Sequence, residues 1–245
     1  MLTSCRSPWR TQNGSENLAH KPGVDSGLTF RNYFHLLAVV TAAAVATISC
    51  KFLVPEEPPV QAGAILFQDD FSDPQSGWNR VSTDTGETDY DDGVYRILVN
   101  ESNTDIWSKP GQSFEDAVIE VDAFKVGGVR DNRFGVICRA TSDDTFYTFI
   151  ISSDGYYGIG KVKGEFYELI GTDALLPSEE IEQGSAINRI RAECIGDRLS
   201  LFVNGVKIDE VKDTELVSGD VGLIAGTYNE PGTDIRFDNF IVRQP

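Results

Sequence analysis

Histidine is absent from residues 51–245, since the only two, His20 and His35, lie near the start of the chain. A Ser-His-Asp or Cys-His catalytic set is thereby excluded from that stretch, as is any zinc or iron site that relies on imidazole. No glycine-rich loop of the phosphate-cradling kind occurs either. Gly158-Ile159-Gly160 is an isolated pair in a strand-like run, where glycine marks a close approach of neighbouring chain. There is no internal repeat, and helical periodicity never holds for more than about a turn. An uninterrupted apolar run of the roughly 20 residues needed to cross a bilayer is also missing. Residues 36–50 (LLAVVTAAAVATISC) carry no charge, but extending the run to Phe34 and Val54 admits His35 and Lys51. Basic side chains are scarce, 21 Lys and Arg against 38 Asp and Glu, for a formal net charge of -17. Residues 1–49 hold four basic side chains (Arg6, Arg10, Lys21, Arg31) and two acidic ones (Glu16, Asp25), a surplus of +2 that leaves -19 for the remainder. A field of that sign repels phosphate backbones, so nucleic acid is excluded as a partner, while a neutral or cationic ligand is compatible.

What is present begins with an address. Arg31 precedes the apolar run, small residues fill its second half, and Cys50 ends it, which is the layout of a lipoprotein signal whose cysteine is acylated after cleavage. Thr47 stands three positions before the cysteine, where leucine is usual. An uncleaved single-span anchor is the other reading, and either one exports the bulk of the chain. Residues 1–30 are polar and unpatterned, a cytoplasmic tail or the product of a start codon placed too early, with Val24 or Leu28 as alternative starts. Residues 31–50 are then the signal peptide or anchor and residues 51–63 a linker, in which PEEPPVQAG makes a stiff solvated spacer. Residues 64–245 have the composition of one globular domain, long enough for a single core.

That domain alternates with a period of two. Residues 94–99, 118–126, 134–140, 146–152, 156–162, 187–195, 199–203, 206–211, 221–228 and 235–242 are short runs rich in β-branched and aromatic residues, separated by Gly, Asp, Asn and Ser. Such spacing predicts an all-β antiparallel sandwich or barrel. Asn204-Gly205 between two of the runs predicts a type I′ hairpin turn, because both central residues of that turn need positive φ. Only residues 178–183 suggest one short helix.

The segments DDFSDPQSGW (69–78), NRFGVICRA (132–140), FYTFIISSDGYYGIGK (146–161), NRIRAECIGDRLSLFVNG (188–205) and the GDVGLIAG and FDNFIV runs within 219–242 together resemble the concanavalin A-like, laminin G-like jelly rolls of bacterial surface lipoproteins, which stand near the 3-keto-disaccharide hydrolase and family 16 glycoside hydrolase domains. The resemblance covers residues 65–245. It implies two antiparallel sheets packed face to face, with a concave face that in relatives holds glycans. Glu120-Val121-Asp122 is similar to the start of the family 16 catalytic strand and makes Glu120 and Asp122 the candidate carboxylates, but Phe124 and Lys125 stand where that strand supplies its acid/base.

Two other ligand chemistries are open. Calcium needs oxygen ligands, and Asp69, Asp70 and Asp73 open the domain while Asp234, Asp238 and Asn239 close it; pairing of the first and last strands would bring Asp70 and Asp238 together. Asp89, Asp91 and Asp92 form a second acidic group. Sugar rings stack on aromatic faces, and Trp78, Trp107, Tyr147, Tyr156, Tyr157 and Tyr167 are candidate platforms. Cys138 and Cys194, in an oxidising compartment and both at inward strand phases, are expected to form a disulfide. The sequence thus points to a membrane-anchored, extracytoplasmic, non-catalytic carbohydrate-binding or surface-interaction module. A glycoside hydrolase acting on a disaccharide or β-glucan is the rival, and an ectodomain that only makes protein contacts is the third reading. Intact-mass measurement of the exported protein checks the address: acylation at Cys50 with loss of the preceding residues is expected, and Cys50→Ser should abolish both, whereas an unmodified chain that retains residues 34–49 refutes it.

Overall fold

A computed structural model of the chain describes residues 62–245. The signal or anchor at 31–50, Cys50 and nearly all of the linker lie outside the described residues. In chain order the strands are β1 (Ile65–Asp69), β2 (Val81–Ser82), β3 (Gly86–Asp91), β4 (Val94–Val99), β5 (Asp105–Ser108), β6 (Ser113–Phe114), β7 (Ala117–Gly127), β8 (Asn132–Ser142), β9 (Thr145–Ile151), β10 (Tyr156–Lys163), β11 (Phe166–Leu169), β12 (Leu176–Pro177), β13 (Asn188–Ile195), β14 (Arg198–Val203), β15 (Val206–Lys212), β16 (Gly219–Thr227) and β17 (Thr233–Arg243). The first sheet runs β15-β14-β13-β7-β17-β4-β3-β2, with β1 paired to β17; the second runs β11-β10-β9-β8-β16-β5, with β12 on β10 and β6 on β16. Every ladder is antiparallel. The expected all-β sandwich is what forms, and each expected strand coincides with one of β4, β7 to β10 or β13 to β17 to within two residues.

The turns follow from positive φ. Asn204 and Gly205 have φ of 52° and 87°, as a type I′ hairpin requires. Asp92 and Gly93 repeat that geometry between β3 and β4, with φ of 52° and 85°. The acidic stretch around them is therefore a hairpin, with Asp89 ion-paired to Arg80 and Asp91 to Arg236, both at 2.6 Å. The short helix expected at residues 178–183 does not form. Asn188 takes both backbone groups of Glu182, accepting from its N–H at 2.9 Å and donating to its C=O at 2.8 Å, so that backbone is unavailable to a helical ladder.

The two sheets differ in what they turn outward. In β13, Asn188, Ile190, Ala192 and Cys194 are buried while Arg189, Arg191 and Glu193 are half-buried on the outer side, the alternation of a strand with one wet face. In β9 every residue from Phe146 to Ile151 is buried, so the second sheet is covered on both sides. The core lies between the sheets and includes Tyr95, Ile119, Val136, Phe149, Leu201, Leu223, Phe237 and Phe240.

Three devices tie the sheets together. Cys138 in β8 is bonded to Cys194 in β13, as expected, with Cα atoms 6.9 Å apart and a sequence separation of 56. Closing such a loop contributes about 4 kcal/mol in the chain-entropy model. Beside it, the buried Arg139 donates to the carbonyls of Glu115, Gly196 and Leu216 at 2.8–2.9 Å and to Asp116 at 3.1 Å, joining three connecting segments. Lys161 of β10 is held by Asp213 at 2.9 Å, Glu215 at 2.8 Å and Glu168 at 3.1 Å. Asp213 also accepts from the Tyr147 hydroxyl at 2.6 Å. Residues 213–218 carry the chain from β15 of the first sheet to β16 of the second, so this latch fixes the crossover.

Burial works against the Asp213 carboxylate, but the Tyr147 hydroxyl, the Glu215 N–H and Lys161 outweigh it and hold its pKa below the ordinary 3.8. Lys161 and Lys163 hold that of Glu215 below 4.5. Both folded values are depressed, so the stabilisation is fully present above about pH 5 and is lost as the pH falls through the folded values. In urea unfolding followed against pH, Asp213→Asn should lose less stability than the wild type between about pH 5 and pH 3. Parallel curves would show that the latch does not contribute.

Candidate functional site

The outer face of the second sheet is apolar where water would be expected. Ile137, Phe146, Ile150 and Ile224 are buried there, packed against Trp107, Val162 and Leu175. One row across the sheet reads Trp107, Ile224, Gly135, Ile150, Gly158. Residues 164–177 form a strap along the β10 edge of the sheet, where β11 and β12 pair with β10, and its side chains lean over the face. A Cβ at Gly158 would lie 2.7 Å from Leu169 and Leu175, and one at Gly160 2.7 Å from the Tyr167 hydroxyl. The isolated glycine pair of the sequence thus marks a close approach, of the strap's side chains and of the Glu168 carbonyl.

At the other end of this face Gly226 sits between Asp105 of β5 and Arg133 of β8. The two side chains meet across the glycine, Arg133 donating from Nε at 2.5 Å and from Nη2 at 3.0 Å. The guanidinium also lies over the Tyr228 ring, 4.5 Å from its centroid. Burial lowers the pKa of Arg133, but Asp105 outweighs it and the net shift is upward. Burial likewise raises that of the Tyr228 phenol. Tyr167 is 45% exposed as a residue, yet burial of its hydroxyl end pushes its pKa up to about 12. That hydroxyl faces Thr148, whose buried Oγ1 has no hydrogen-bond partner of normal geometry among the described residues. Asp105, Arg133, Tyr228 and Gly226 were not among the sequence candidates. A signal for them existed: Gly222 and Gly226 flank Ile224 at one strand phase, which marks two places on the outer face where neighbouring groups approach the backbone closely.

Tyr156, 41% exposed, stands between two clefts beside this network. One, of about 560 Å³, is lined by Asp131, Ser152, Asp154, Tyr156, Leu175 and Tyr228. The other, of about 650 Å³, is lined by Asp154, Tyr156, Pro177, Glu179, Ile181 and Gln183 among others. Both volumes suit a small ligand. Asp154 accepts from the Ser152 hydroxyl within the β9–β10 turn, which places its carboxylate at the border of the two clefts.

The sequence candidates divide. Trp107 is half-buried on this face, its ring edge-on to Phe146 at 5.2 Å, and Tyr156 and Tyr167 share the face with it. Tyr147 and Tyr157 do not. Tyr147 is fully buried and Tyr157 is 9% exposed, because the phases of β9 and β10 turn both rings into the inter-sheet core, where Tyr147 serves the latch. Trp78 is also core, packed on Phe71, Tyr95 and Phe240. Glu120 and Asp122 point outward from β7 in the first sheet, so the second sheet separates them from the clefts. Arg189 reaches Glu120 at 3.4 Å and Asp122 at 3.0 Å, Arg243 reaches Glu120 at 3.7 Å, and Asn239 donates to Asp122 at 3.0 Å. Phe124 occupies the next outward position, where an acid/base would be needed.

The calcium expectation meets half of its requirement. β1 does pair with β17, and Asp69, Asp70 and Asn239 line one shallow depression of about 260 Å³. Asp69 is already engaged, accepting from the Phe71 N–H at 2.8 Å and the Trp78 indole at 2.9 Å, and one oxygen of Asp70 accepts from the Ser72 N–H and hydroxyl. Asp238 accepts from the Asn239 N–H, and Asp234 is ion-paired to Arg96 and Arg236. Among the described residues no three Asp, Glu, His or Cys side chains are grouped so as to hold a metal ion, and the donor set does not fit calcium.

No protein-family model and no curated protein matches the chain. Solved structures do. The carbohydrate binding module CBM66 from Bacillus subtilis superposes with a TM-score of 0.56 at 16% identity, over 68% of this chain and 95% of that one. A protein of unknown function with a galectin-like fold, also from Bacillus subtilis, gives 0.55 at 13% identity, over 75% and 97%. The catalytic domain of an endo-1,3-beta-glucanase (laminarinase) from Thermotoga petrophila gives 0.53 at 10% identity, over 76% and 99%. At such identities the likeness is one of fold, and the fold is the concanavalin A-like jelly-roll sandwich that the sequence resembles.

Gly226→Ala tests the geometry of the face. Its Cβ would lie 1.9 Å from Asp105 Oδ1 and 2.9 Å from Arg133 Nε, so the ion pair must separate. The expected cost is about 1–3 kcal/mol in urea unfolding. An unchanged unfolding midpoint would mean that the pair does not depend on the glycine.

Proposed function

We propose that the chain is a membrane-anchored, extracytoplasmic sandwich that binds saccharide on the outer face of its second sheet and catalyses no reaction on it. The observation that carries this reading is the exposed Tyr156 ring standing between two clefts whose walls mix aromatic rings with carboxylate, hydroxyl and amide groups. That is the arrangement sugar recognition needs: a ring to stack on and polar groups to orient the hydroxyls. Its fold is shared with a carbohydrate-binding module, although it is equally that of a glucanase catalytic domain. The anchor rests on residues 31–50, and the ligand is then a glycan of the envelope or of the surroundings.

The hydrolase reading keeps one specific support. Asp131 and Asp154 line the same cleft, and glycoside hydrolysis needs two carboxylates. Glu120 and Asp122 cannot supply that pair to the cleft, being on the other sheet and bound to arginines. In calorimetry with oligosaccharides, Tyr156→Ala should weaken binding by about 1 kcal/mol, roughly fivefold, while Glu120→Gln should leave it unchanged. Steady release of reducing sugar by the wild type, lost in Asp154→Asn, would establish the hydrolase instead. Neither binding nor release would leave the protein-contact reading.

A further inference from the structure

On the outer face of the first sheet most carboxylates are paired, Glu87 and Asp234 with Arg96, Asp91 with Arg236, Glu120 and Asp122 with Arg189, Glu193 with Arg191, while Asp238 accepts only from the Asn239 N–H. Beside the second sheet Asp105 is paired with Arg133, and Glu168 and Glu215 with Lys161, but the carboxylates that line the clefts around Tyr156 are not. No ion pair among the described residues involves Asp131, Asp154 or Glu179. No lysine or arginine lines either cleft around Tyr156. The nearby Arg133 has its charge matched by Asp105 and its flat face covered by Tyr228.

We infer that the double cleft around Tyr156 selects saccharides carrying protonated amines, of the de-N-acetylated hexosamine kind, an assignment that rests on the saccharide-binding reading above. Asp154 borders both clefts, so an ammonium on a sugar stacked against Tyr156 lies within reach of a carboxylate on either side. Asp131 serves one cleft and Glu179 the other. The electron-rich face of Tyr156 attracts the same charge. A uronic acid or a sulfated sugar brings a like charge and is rejected. An N-acetylated sugar keeps the shape of the amine sugar but offers the carboxylates no cation.

The test is calorimetry on the full-length chain in detergent, with three probes: glucosamine hexamer, its N-acetylated counterpart and cellohexaose, at a pH where the amine is protonated. The glucosamine hexamer is expected to bind about tenfold tighter than the other two at low salt, and the difference should shrink as salt is raised to about 0.5 M. Asp131→Asn/Asp154→Asn should remove the preference, bringing the glucosamine hexamer to the affinity the same variant has for the neutral oligomers. The control Asp197→Asn/Glu210→Gln removes the same charge from the first sheet and should keep the preference, which separates the cleft from the attraction of the whole molecule. Equal or tighter binding of the acetylated or neutral oligomer, or a preference that survives the cleft variant, overturns the amine assignment while the saccharide reading stands. Failure of all three probes to bind removes both.

Discussion

The central strands of the second sheet are apolar on both faces, and most of the molecule's asymmetry follows from that. Phe146, Ile150, Ile137 and Ile224 present their side chains away from the inter-sheet core, and leaving each in water would forgo about 1.5–3 kcal/mol. They are covered by their neighbours Trp107, Val162 and Leu175. At the β10 edge the side chains of Tyr167, Leu169 and Leu175 can lean onto the face only because Gly158 and Gly160 have no side chains there. Where the strap ends, at Leu175 and Pro177, the covering stops and the clefts begin. The place of the site is therefore set by the length of an apolar patch and the reach of the chain that shields it.

The first sheet needs no such cover. Its outward positions are filled by arginines and carboxylates in a connected set of ion pairs, each half-exposed and each worth at most about 1 kcal/mol. Their role is to leave few charges unmatched. Beyond the apolar core that they share, the sheets are joined by three ties: the Cys138–Cys194 bond, the buried Arg139 and the Lys161 latch. The first is covalent. The other two use buried cations to gather carbonyls and carboxylates from connections that would otherwise be held only at their ends, and both contact the segment that links β15 to β16.

The sandwich was legible because period-two alternation is a direct image of a strand with two unlike faces, and Asn204-Gly205 is a direct image of its turn. The disulfide was legible for the same reason, since strand phase told which way Cys138 and Cys194 point. Tyr147 was misplaced as a platform. Adjacent strand residues face opposite ways, Phe146 toward the outer side and Tyr147 toward the inter-sheet core, and both are buried because the sheet is covered on both sides. The missing alternation in Phe146-Tyr147-Thr148-Phe149-Ile150-Ile151 was the available sign of that cover. The short strands β1, β2, β3, β5, β6, β11 and β12 were not picked out, their sequences being brief or polar, as in Gly86-Glu87-Thr88-Asp89-Tyr90-Asp91. The phase of Gly222 and Gly226 marked the face, but the pairing of Asp105 with Arg133 was not legible, because it joins strands that become neighbours only through β16 between them.

The chain enters and leaves the domain in the same sheet. The Gly63 N–H donates to the Gln244 carbonyl at 2.7 Å, and β1 lies along β17, so both ends of the described residues belong to the first sheet. Neither end of the described residues therefore lies on the outer face of the second sheet, where the clefts are. Asp131, Asp154 and Glu179, which line those clefts, are in none of the ion pairs among the described residues, so the negative charge a ligand meets there adds to the chain's net charge of -17.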